Sequence, residues 1–217
     1  MTWVVNNLGQ IAVLAWNHVL LSLPAIALSL LLSVPLGWWA HRHRAARGLV
    51  LSGSSVAYAL PSLALFIVLP VMLGTRILDP VNVIVAMTIY GAALLVRTCV
   101  EAFDAVPREI RENATAMGHS LTQRFWRVDL PLAGPAILAG LRVVSASTLS
   151  LVSVGALIGV PSLGYFFTNG YLRNFNIEIV VGIVATLLLA AAFDLALVLA
   201  GRVLLPWVHA TDVRGGA

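Results

Sequence analysis

The polar residues best suited to chemistry or binding lie in one segment, Glu112–Pro131, between two long apolar stretches. The chain has no Gly-rich phosphate-binding loop, its five His lack metal-ligand spacing, and no nucleophile stands with a general base. These patterns therefore indicate neither catalysis nor a metal site. An ordered, charged helix between membrane spans favours another role, the docking of a protein from outside the bilayer.

This polar segment predicts two short helices that are separated by a glycine. Pro107 suits the first position of a helix, and Glu109 suits its first turn. Gly118 ends this helix or allows a sharp turn of the backbone. A second short helix is expected from His119 to Trp126, with Ser120 as its cap. Its apolar side chains are expected to share one face: Leu121, Phe125 and Trp126.

Composition places the chain in a membrane. Of its 217 residues, 60% are hydrophobic and 10% are charged, and the mean hydropathy is +0.96. A soluble domain does not need that much apolar surface, so we predict an all-α membrane protein with one transmembrane domain, residues 1–217. The net charge of +4 comes from Arg alone and is expected to set topology, not to bind nucleic acid. The single Cys99 excludes an intramolecular disulfide.

Five stretches are long and apolar enough to cross a bilayer, which takes roughly 20 helical residues. They are expected at about residues 13–39, 48–74, 80–100, 132–160 and 177–205. A polar connection over residues 101–131 joins the third stretch to the fourth. Trp16 and Trp38 are about 33 Å apart along the first span, which predicts one tryptophan at each bilayer interface.

The basic residues predict the orientation. Most arginines lie on connections that share one side of a five-span chain: Arg42, Arg44, Arg47, Arg108, Arg111, Arg124, Arg127, Arg202 and Arg214. The opposite side carries only Arg76 and Arg173. The positive-inside rule then predicts a multi-pass protein of the bacterial plasma membrane, with its N-terminus outside and its C-terminus and residues 101–131 in the cytoplasm.

Pro61, which precedes Ser62, has two interpretations. Either it simply kinks a helix, as membrane bundles tolerate, or it breaks the second span to open a pathway for a solute. Tyr58 and Tyr90 are candidate pathway residues together with Pro61 and Ser62, because aromatic rings attract quaternary ammonium cations. Aromatic residues in spans are more often packed or lipid-facing, so no substrate cage is inferred.

Arg142 and Asp194 are charged residues inside apolar spans. An ionisable residue within a membrane is a functional candidate by default, but Arg142 is close enough to the polar segment for its head group to reach the interface. Both residues are expected in the same half of the bilayer. We therefore predict a structural ion pair between the fourth and fifth spans.

The polar segment resembles a motif of one transporter family. It contains Glu112-Asn113-Ala114, three residues, Gly118 and, at a fixed distance, Leu130-Pro131. Permease subunits of binding-protein-dependent ABC importers carry Glu-Ala-Ala, three residues, Gly and a later Leu-Pro, so Asn113 departs from the pattern. In that family this loop is a coupling helix that docks into a groove on an ATPase subunit. The resemblance implies this role for the following residues: Glu112, Ala114, Gly118, His119, Ser120, Leu121, Phe125, Trp126, Leu130 and Pro131.

The resemblance covers about residues 13–205. The segments 60–65 and 132–142 are similar to those of permeases for osmoprotectants such as glycine betaine, carnitine and choline. Residues 155–164 depart from that group, because Pro161-Ser162 replaces a glycine-rich turn. The resemblance implies five transmembrane helices in the type I importer fold, the fold of methionine permeases.

The same resemblance implies the partners of the chain. Two ATPase subunits would bind ATP and Mg, a second permease subunit, identical or related, would complete the pathway, and an extracytoplasmic binding protein would deliver the substrate. The chain itself would hold no cofactor or metal and would not be an enzyme. Membrane lipid surrounds it, and no nucleic acid is expected.

Two alternatives remain open. A permease for methionine or another small amino acid would share the fold, although residues 60–65 favour osmoprotectants. A channel or membrane scaffold that works without an ATPase would not need an ordered polar segment. An intramembrane enzyme is disfavoured, because no paired catalytic residues stand at a plausible depth.

Overall fold

The computed structural model describes residues 2–207, which are helical over most of their length. The α-helices, in chain order, are α1 Thr2–Asn6, α2 Leu8–Arg42, α3 Arg44–Ala59, α4 Ser62–Leu73, α5 Pro80–Asp104, α6 Arg108–Ala116, α7 Leu121–Arg124, α8 Leu130–Val152, α9 Tyr165–Leu172 and α10 Asn176–Leu204. A π-helical turn, Phe125–Asp129, leads into α8, and a 3₁₀ turn, Ser153–Ile158, follows it. Within residues 2–207, four helical stretches are long and apolar enough to cross a membrane, and α3 with α4 makes a fifth.

Several boundaries differ from those expected from the sequence. The first span is the whole of α2, which contains Pro24 and Pro35 without a break. The third span runs on to Asp104, beyond the expected end at residue 100, because Ala102 and Phe103 are still buried in the core. The fourth span ends as an α-helix at Val152 and continues as the 3₁₀ turn.

The second span, expected as one stretch over residues 48–74, is a bent pair of helices. The axes of α3 and α4 differ by 103°. Leu60 is extended, with ψ of 137°, because the residue before a proline avoids the α-helical region. Its carbonyl loses a helical partner and accepts a hydrogen bond from the Tyr90 hydroxyl. The span is therefore broken at Pro61 and not merely kinked, while a solute pathway at the break stays a prediction.

Small residues allow α5 to pack closely against α2. A Cβ atom at Gly91 would lie 2.2 Å from Ser29 Oγ, and one at Gly37 would lie 2.5 Å from Cys99 Cβ. The Ser29 hydroxyl donates to the carbonyl of Ala25 at 2.7 Å, within its own helix. Close approach of helix backbones at glycine and serine is typical of membrane bundles, in which van der Waals packing drives association.

A buried histidine connects three parts of the chain. His18, in α2, is fully buried. Its Nδ1 accepts the backbone N–H of Leu163 at 3.3 Å, so its Nε2–H donates to the carbonyl of Leu149 at 2.9 Å. Both ring nitrogens are therefore satisfied, as a buried polar group requires.

The ends of α2, α5 and α10 and the start of α8 lie at one end of the bundle. Contacts across this end include the Trp38 indole with Asp129 and the His41 ring with Asp104. We call it the basic end, because Arg42 and Arg47 also lie there. The polar segment is attached to the bundle at this end.

Candidate functional site

The polar segment folds as two short helices around a glycine. α6 ends at Ala116, and Gly118 has a φ of +85°, in the left-handed region that favours glycine. The N–H of Gly118 donates to the Thr115 carbonyl at 3.0 Å, and the N–H of His119 donates to the Ala114 carbonyl at 3.1 Å. A Cβ atom at Gly118 would meet nothing within 4 Å. Backbone conformation, not space, therefore makes glycine necessary here.

Ser120 begins the second helix with a reciprocal cap. The N–H of Gln123 donates to Ser120 Oγ at 3.3 Å, and the N–H of Ser120 donates to Gln123 Oε1 at 2.9 Å. This capping box satisfies two backbone N–H groups at the start of α7. It holds α7 in one orientation after the Gly118 turn.

The outer surface of the segment combines exposed apolar side chains with charges. Met117 is 73% exposed, Leu121 is 51% exposed and Trp126 is 62% exposed. Phe125 does not share this surface, although one apolar face was expected for Leu121, Phe125 and Trp126. Its ring packs inward against Trp38, with the centroids 4.9 Å apart. Of the other predicted docking residues, Glu112 and Ser120 are exposed, Ala114 is buried, and His119, Leu130 and Pro131 are half-buried.

A cavity of about 430 Å³ opens beside α6. Its lining residues are Arg108, Arg111, Glu112, Thr115, Ala116 and Arg124. Arg108 Nε donates to Glu112 Oε1 at 2.6 Å, and this hydrogen bond raises the pKa of the Arg108 guanidinium. The segment thus offers a concave, charged surface beside exposed apolar side chains, which is the composition of a protein-docking site.

Asp129, which the sequence did not single out, lies at the centre of a buried charge cluster. Its Oδ1 is 3.5 Å from Arg111 Nε, and its Oδ2 is 3.4 Å from Arg124 Nε. Oδ2 also accepts a hydrogen bond from Trp38 Nε1 at 3.3 Å. The two guanidinium groups come from α6 and α7, on opposite sides of the Gly118 turn. We call Asp129, Arg111, Arg124 and Trp38 the Asp129 hub.

Arg111 connects this hub directly to the ends of α5 and α2, and through His41 and Asp104 to the start of α3. Its Nη2 donates to the carbonyl of Phe103, near the end of α5. Its Nη1 donates to His41 Nε2 at 2.8 Å. Because an arginine only donates, His41 Nε2 accepts, and its Nδ1–H donates to Asp104 Oδ1 at 2.5 Å. Asp104 also accepts from Arg47 of α3 at 2.5 Å.

Sequence reasoning missed the hub because no local pattern marks it. Trp38 and Asp129 are 91 positions apart, and His41 and Asp104 are 63 positions apart. One signal was present: Asp129 is an acid placed directly before an apolar helix and close to several arginines. Such an acid needs partners if the helix that it precedes is packed in a bundle.

The four candidate pathway residues meet at the break between α3 and α4. The rings of Tyr58 and Tyr90 are 6.1 Å apart and nearly perpendicular, at 83°. Tyr58 and Pro61 are exposed, Ser62 is half-buried, and Tyr90 is buried. In the part of the chain that the structure describes, no group of His, Cys, Asp and Glu could hold a metal ion.

The matched family explains this combination of an apolar bundle and an ordered polar segment. Residues 29–210 match the family described as "Binding-protein-dependent transport system inner membrane component". The chain belongs to this family. It is therefore a transmembrane, multi-pass permease component of a transport system that works with ATPase and substrate-binding components, and it is itself the non-catalytic part.

Relatives of this permease cover nearly its whole length. It is 29% identical over 195 residues to the osmoprotectant import permease protein OsmW of Salmonella typhimurium, and this alignment covers 88% of this chain and 90% of that protein. It is 28% identical to the choline transport system permease protein OpuBB of Bacillus subtilis, over 93% and 91% of the two chains.

Solved structures show the fold of the permease. A chain of the MetNI methionine ABC transporter superposes with a TM-score of 0.70 at 18% identity, over 87% of this chain and 96% of that one. A chain of an amino acid ABC transporter with histidines superposes with a TM-score of 0.75 at 15% identity, over 93% and 97%. The fold is therefore that of type I importer permeases.

One charge pair of the permease lies inside the spans. Arg142 of α8 and Asp194 of α10 face each other, with Nε 2.6 Å from Oδ1. The pair borders a surface groove between these helices, whose lining residues are Pro135, Leu138, Ala139, Arg142, Val198, Gly201, Arg202 and Leu205. It is separate from the Asp129 hub, which belongs to the polar segment.

Proposed function

We propose that this permease is the transmembrane subunit of an ATP-driven importer for quaternary-amine osmoprotectants, with glycine betaine, choline and carnitine as the candidate cargo. Relatives named for osmoprotectant, choline and glycine betaine/carnitine/choline transport support this cargo, since each aligns with about nine-tenths of the chain. The likeness to a methionine transporter, at 18% identity, is one of fold alone.

The polar segment is the coupling element of this importer. The single observation that carries this role is the shape of residues 108–126, which we call the knob. The Gly118 turn and the Ser120 cap orient its two helices so that Leu121 and Trp126 face solvent beside the charged cavity. An exposed apolar surface of this kind, rimmed by polar residues, marks a site that a partner protein covers. The partner is an ATPase subunit, which binds ATP and Mg and hydrolyses ATP.

The residues of the knob take different parts in this docking. Exposed Glu112, Ser120, Leu121 and Trp126 contact the groove of the ATPase. Buried Ala114 allows α6 to pack closely on the segment beneath it, and Gly118 and His119 shape the turn. The inward-facing side chains support the knob from below: Phe125, Leu130 and Pro131.

The assembly consists of two permease subunits, identical or related, two ATPase subunits and an extracytoplasmic binding protein. The basic end faces the cytoplasm, because arginines are concentrated there. The N-terminus is then outside and the C-terminus is cytoplasmic. The solute passes near the break at Pro61 and Ser62, where the rings of Tyr58 and Tyr90 offer surfaces that attract a quaternary ammonium group.

The test is uptake of labelled glycine betaine by the native host at high and at normal osmolarity, with the gene deleted and then restored. Loss of uptake on deletion and recovery on restoration is the expected result. Choline, carnitine and methionine are measured in parallel. Loss of methionine uptake with unchanged glycine betaine uptake would instead assign the permease to an amino-acid importer.

A second arm tests the coupling role separately. The ATPase is purified with the tagged permease, and the Leu121→Asp and Trp126→Asp variants are compared with Tyr171→Asp, which changes a side chain that is 77% exposed at the opposite end. The two knob variants should lose the ATPase, whereas the control should retain it. Retention by all three would argue against the knob as the docking site, whereas an unmodified permease that purifies without any ATPase would argue for a channel or scaffold.

A further inference from the structure

Asp129, at the centre of the hub, lies beneath the docking surface, whereas Arg111 and Arg124 also line the charged cavity of that surface. The side chains of Arg111 and Arg124 are each 17% exposed, and that of Asp129 is 4% exposed. An ATPase that covers this surface can therefore reach the two arginines at the cavity but not the Asp129 carboxylate. Asp129 can act in transport only by connecting the knob to the spans.

We propose that Asp129 is the positioning residue through which displacement of the knob reaches α2 and α5, an inference that rests on the coupling role proposed above. Asp129 holds α6 through Arg111 and α7 through Arg124, so both halves of the knob move with one carboxylate. The same carboxylate holds α2 through the Trp38 indole. Three elements that are distant in the sequence therefore meet at a single side chain.

Arg111 supplies a second branch of this connection. It spans from Asp129 to the Phe103 carbonyl near the end of α5 and to the His41 ring at the end of α2. α5 is the helix that packs on both α2 and α8 in the centre of the bundle. A push on α6 is thus applied to the ends of two spans through one guanidinium group.

The ion pairs at Asp129 are of a kind that tolerates movement of the helices that they connect. The two ion-pair distances are 3.4 and 3.5 Å, and neither arginine Nε has hydrogen-bond geometry to the carboxylate. Attraction between charges falls slowly with distance, whereas a hydrogen bond depends steeply on distance and angle. The helices can therefore shift against one another while the charges continue to hold them together.

The π-helical turn that carries Asp129 is a second, independent observation in favour of a functional role for this residue. It covers Phe125–Asp129 and directly precedes the start of α8. Such turns are rare and occur frequently at functional sites, because the extra residue changes the direction of the side chains that follow. Here it carries Asp129, whose carboxylate accepts the N–H of the Trp38 indole.

The experiment uses the whole complex, with ATPase and binding protein, in proteoliposomes, and it measures glycine betaine taken up per ATP hydrolysed. Asp129→Asn keeps the size of the side chain and an oxygen for Trp38 but removes the charge that holds both arginines. We expect uptake per ATP to fall about tenfold while the complex still assembles and hydrolyses ATP, a change in the range known for coupling residues. Asp129→Glu, which restores the charge, should recover most of the ratio.

Two further variants keep the test decisive. Arg44→Gln removes an exposed charge from the basic end outside the hub and should leave the ratio unchanged. Trp38→Phe removes the indole N–H from the hub and keeps a smaller aromatic ring against Phe125. It therefore reports on the hub even if Asp129→Asn fails to assemble, and it should lower the ratio severalfold. An unchanged ratio in both hub variants, or a loss of uptake and hydrolysis in equal proportion, would overturn the inference.

Failure of the proposed function gives a different result. It appears in the unmodified complex, as ATP hydrolysis without glycine betaine uptake or as no associated ATPase. If only the cargo is wrong, the test of the hub is how strongly the binding protein stimulates ATP hydrolysis. That stimulation runs from the spans through the Asp129 hub to the ATPase, opposite to the direction in which the knob moves the spans. Stimulation should be lost in Asp129→Asn and retained in Arg44→Gln, and retention in both would overturn the inference.

Discussion

Arg142 and Asp194 form a two-point ion pair between α8 and α10, with Nε donating to Oδ1 at 2.6 Å and Nη2 donating to Oδ2 at 2.8 Å. Parallel hydrogen bonds of this kind fix the orientation of both side chains as well as their distance. The two side chains are still 43% and 45% exposed at the protein surface. Within the membrane, each charge is therefore neutralised mainly by the other.

Removal of either charge should destabilise the permease more than removal of both. Arg142→Ala leaves an unpaired carboxylate within the spans, and Asp194→Ala leaves an unpaired guanidinium, which a bilayer solvates poorly. We expect each single variant to have a lower Tm in a mild detergent and the double variant to recover part of the loss. Additive losses in the three variants would show that the pair contributes no coupling energy.

Gly118→Ala should impair transport without preventing insertion. The left-handed conformation costs a residue with a side chain about 1–2 kcal/mol, although the added methyl group would have space. Uptake should fall severalfold, because the knob spends less time in the orientation that docks. Gly48→Ala is the matched control, since its methyl group would also meet nothing within 4 Å and it lies in a regular helix. Equal uptake by the two variants at equal protein level would argue against the role of the turn.

Tyr90→Phe should loosen the break between α3 and α4. The variant removes the hydroxyl that donates to the Leu60 carbonyl and leaves that acceptor without this partner, at a cost of about 1 kcal/mol. A lower Tm and altered glycine betaine uptake are the expected results. Tyr171→Phe, at a residue that is 77% exposed, should change neither quantity. A Tyr90→Phe protein with an unaltered Tm and unaltered uptake would show that the hydroxyl does not hold the break.

The proposed orientation can be tested by labelling of introduced cysteines. The single native Cys99 is fully buried, so it gives little background with a membrane-impermeant maleimide. In intact cells the Tyr171→Cys variant should be labelled, whereas the Arg127→Cys variant should be labelled only after permeabilisation. The reverse pattern would place the basic end outside and would contradict the positive-inside assignment.

Features that depend on neighbouring residues could be predicted from the sequence. The Ser120 cap involves partners three positions apart, the break follows from the geometry of Pro61, and the turn follows from the conformational freedom of Gly118. Each of these signals acts within one turn of the chain. The break was nevertheless one of two interpretations, because Pro24 and Pro35 remain inside an unbroken helix.

Features that depend on distant partners or on a change of helical period could not be predicted. The position of Trp38 at a bilayer interface stays a prediction, but the inward orientation of its indole was not foreseen: Asp129 accepts its N–H and Phe125 packs on its ring. The single apolar face expected for Leu121, Phe125 and Trp126 assumed a regular helix. The helix instead becomes a π-helical turn at Phe125, and the Phe125 ring packs on Trp38 in the interior.

His18 imposes an order of events on the synthesis of this protein. Its ring is satisfied only by Leu149 and Leu163, and the second of these is 145 positions further along the chain. A ribosome that adds about 5–20 residues per second reaches Leu163 roughly 7 to 29 seconds after it has made His18. Throughout that interval the first span carries an imidazole without its native acceptor and donor. The His18 ring therefore acquires its native hydrogen bonds only when most of the chain has been translated.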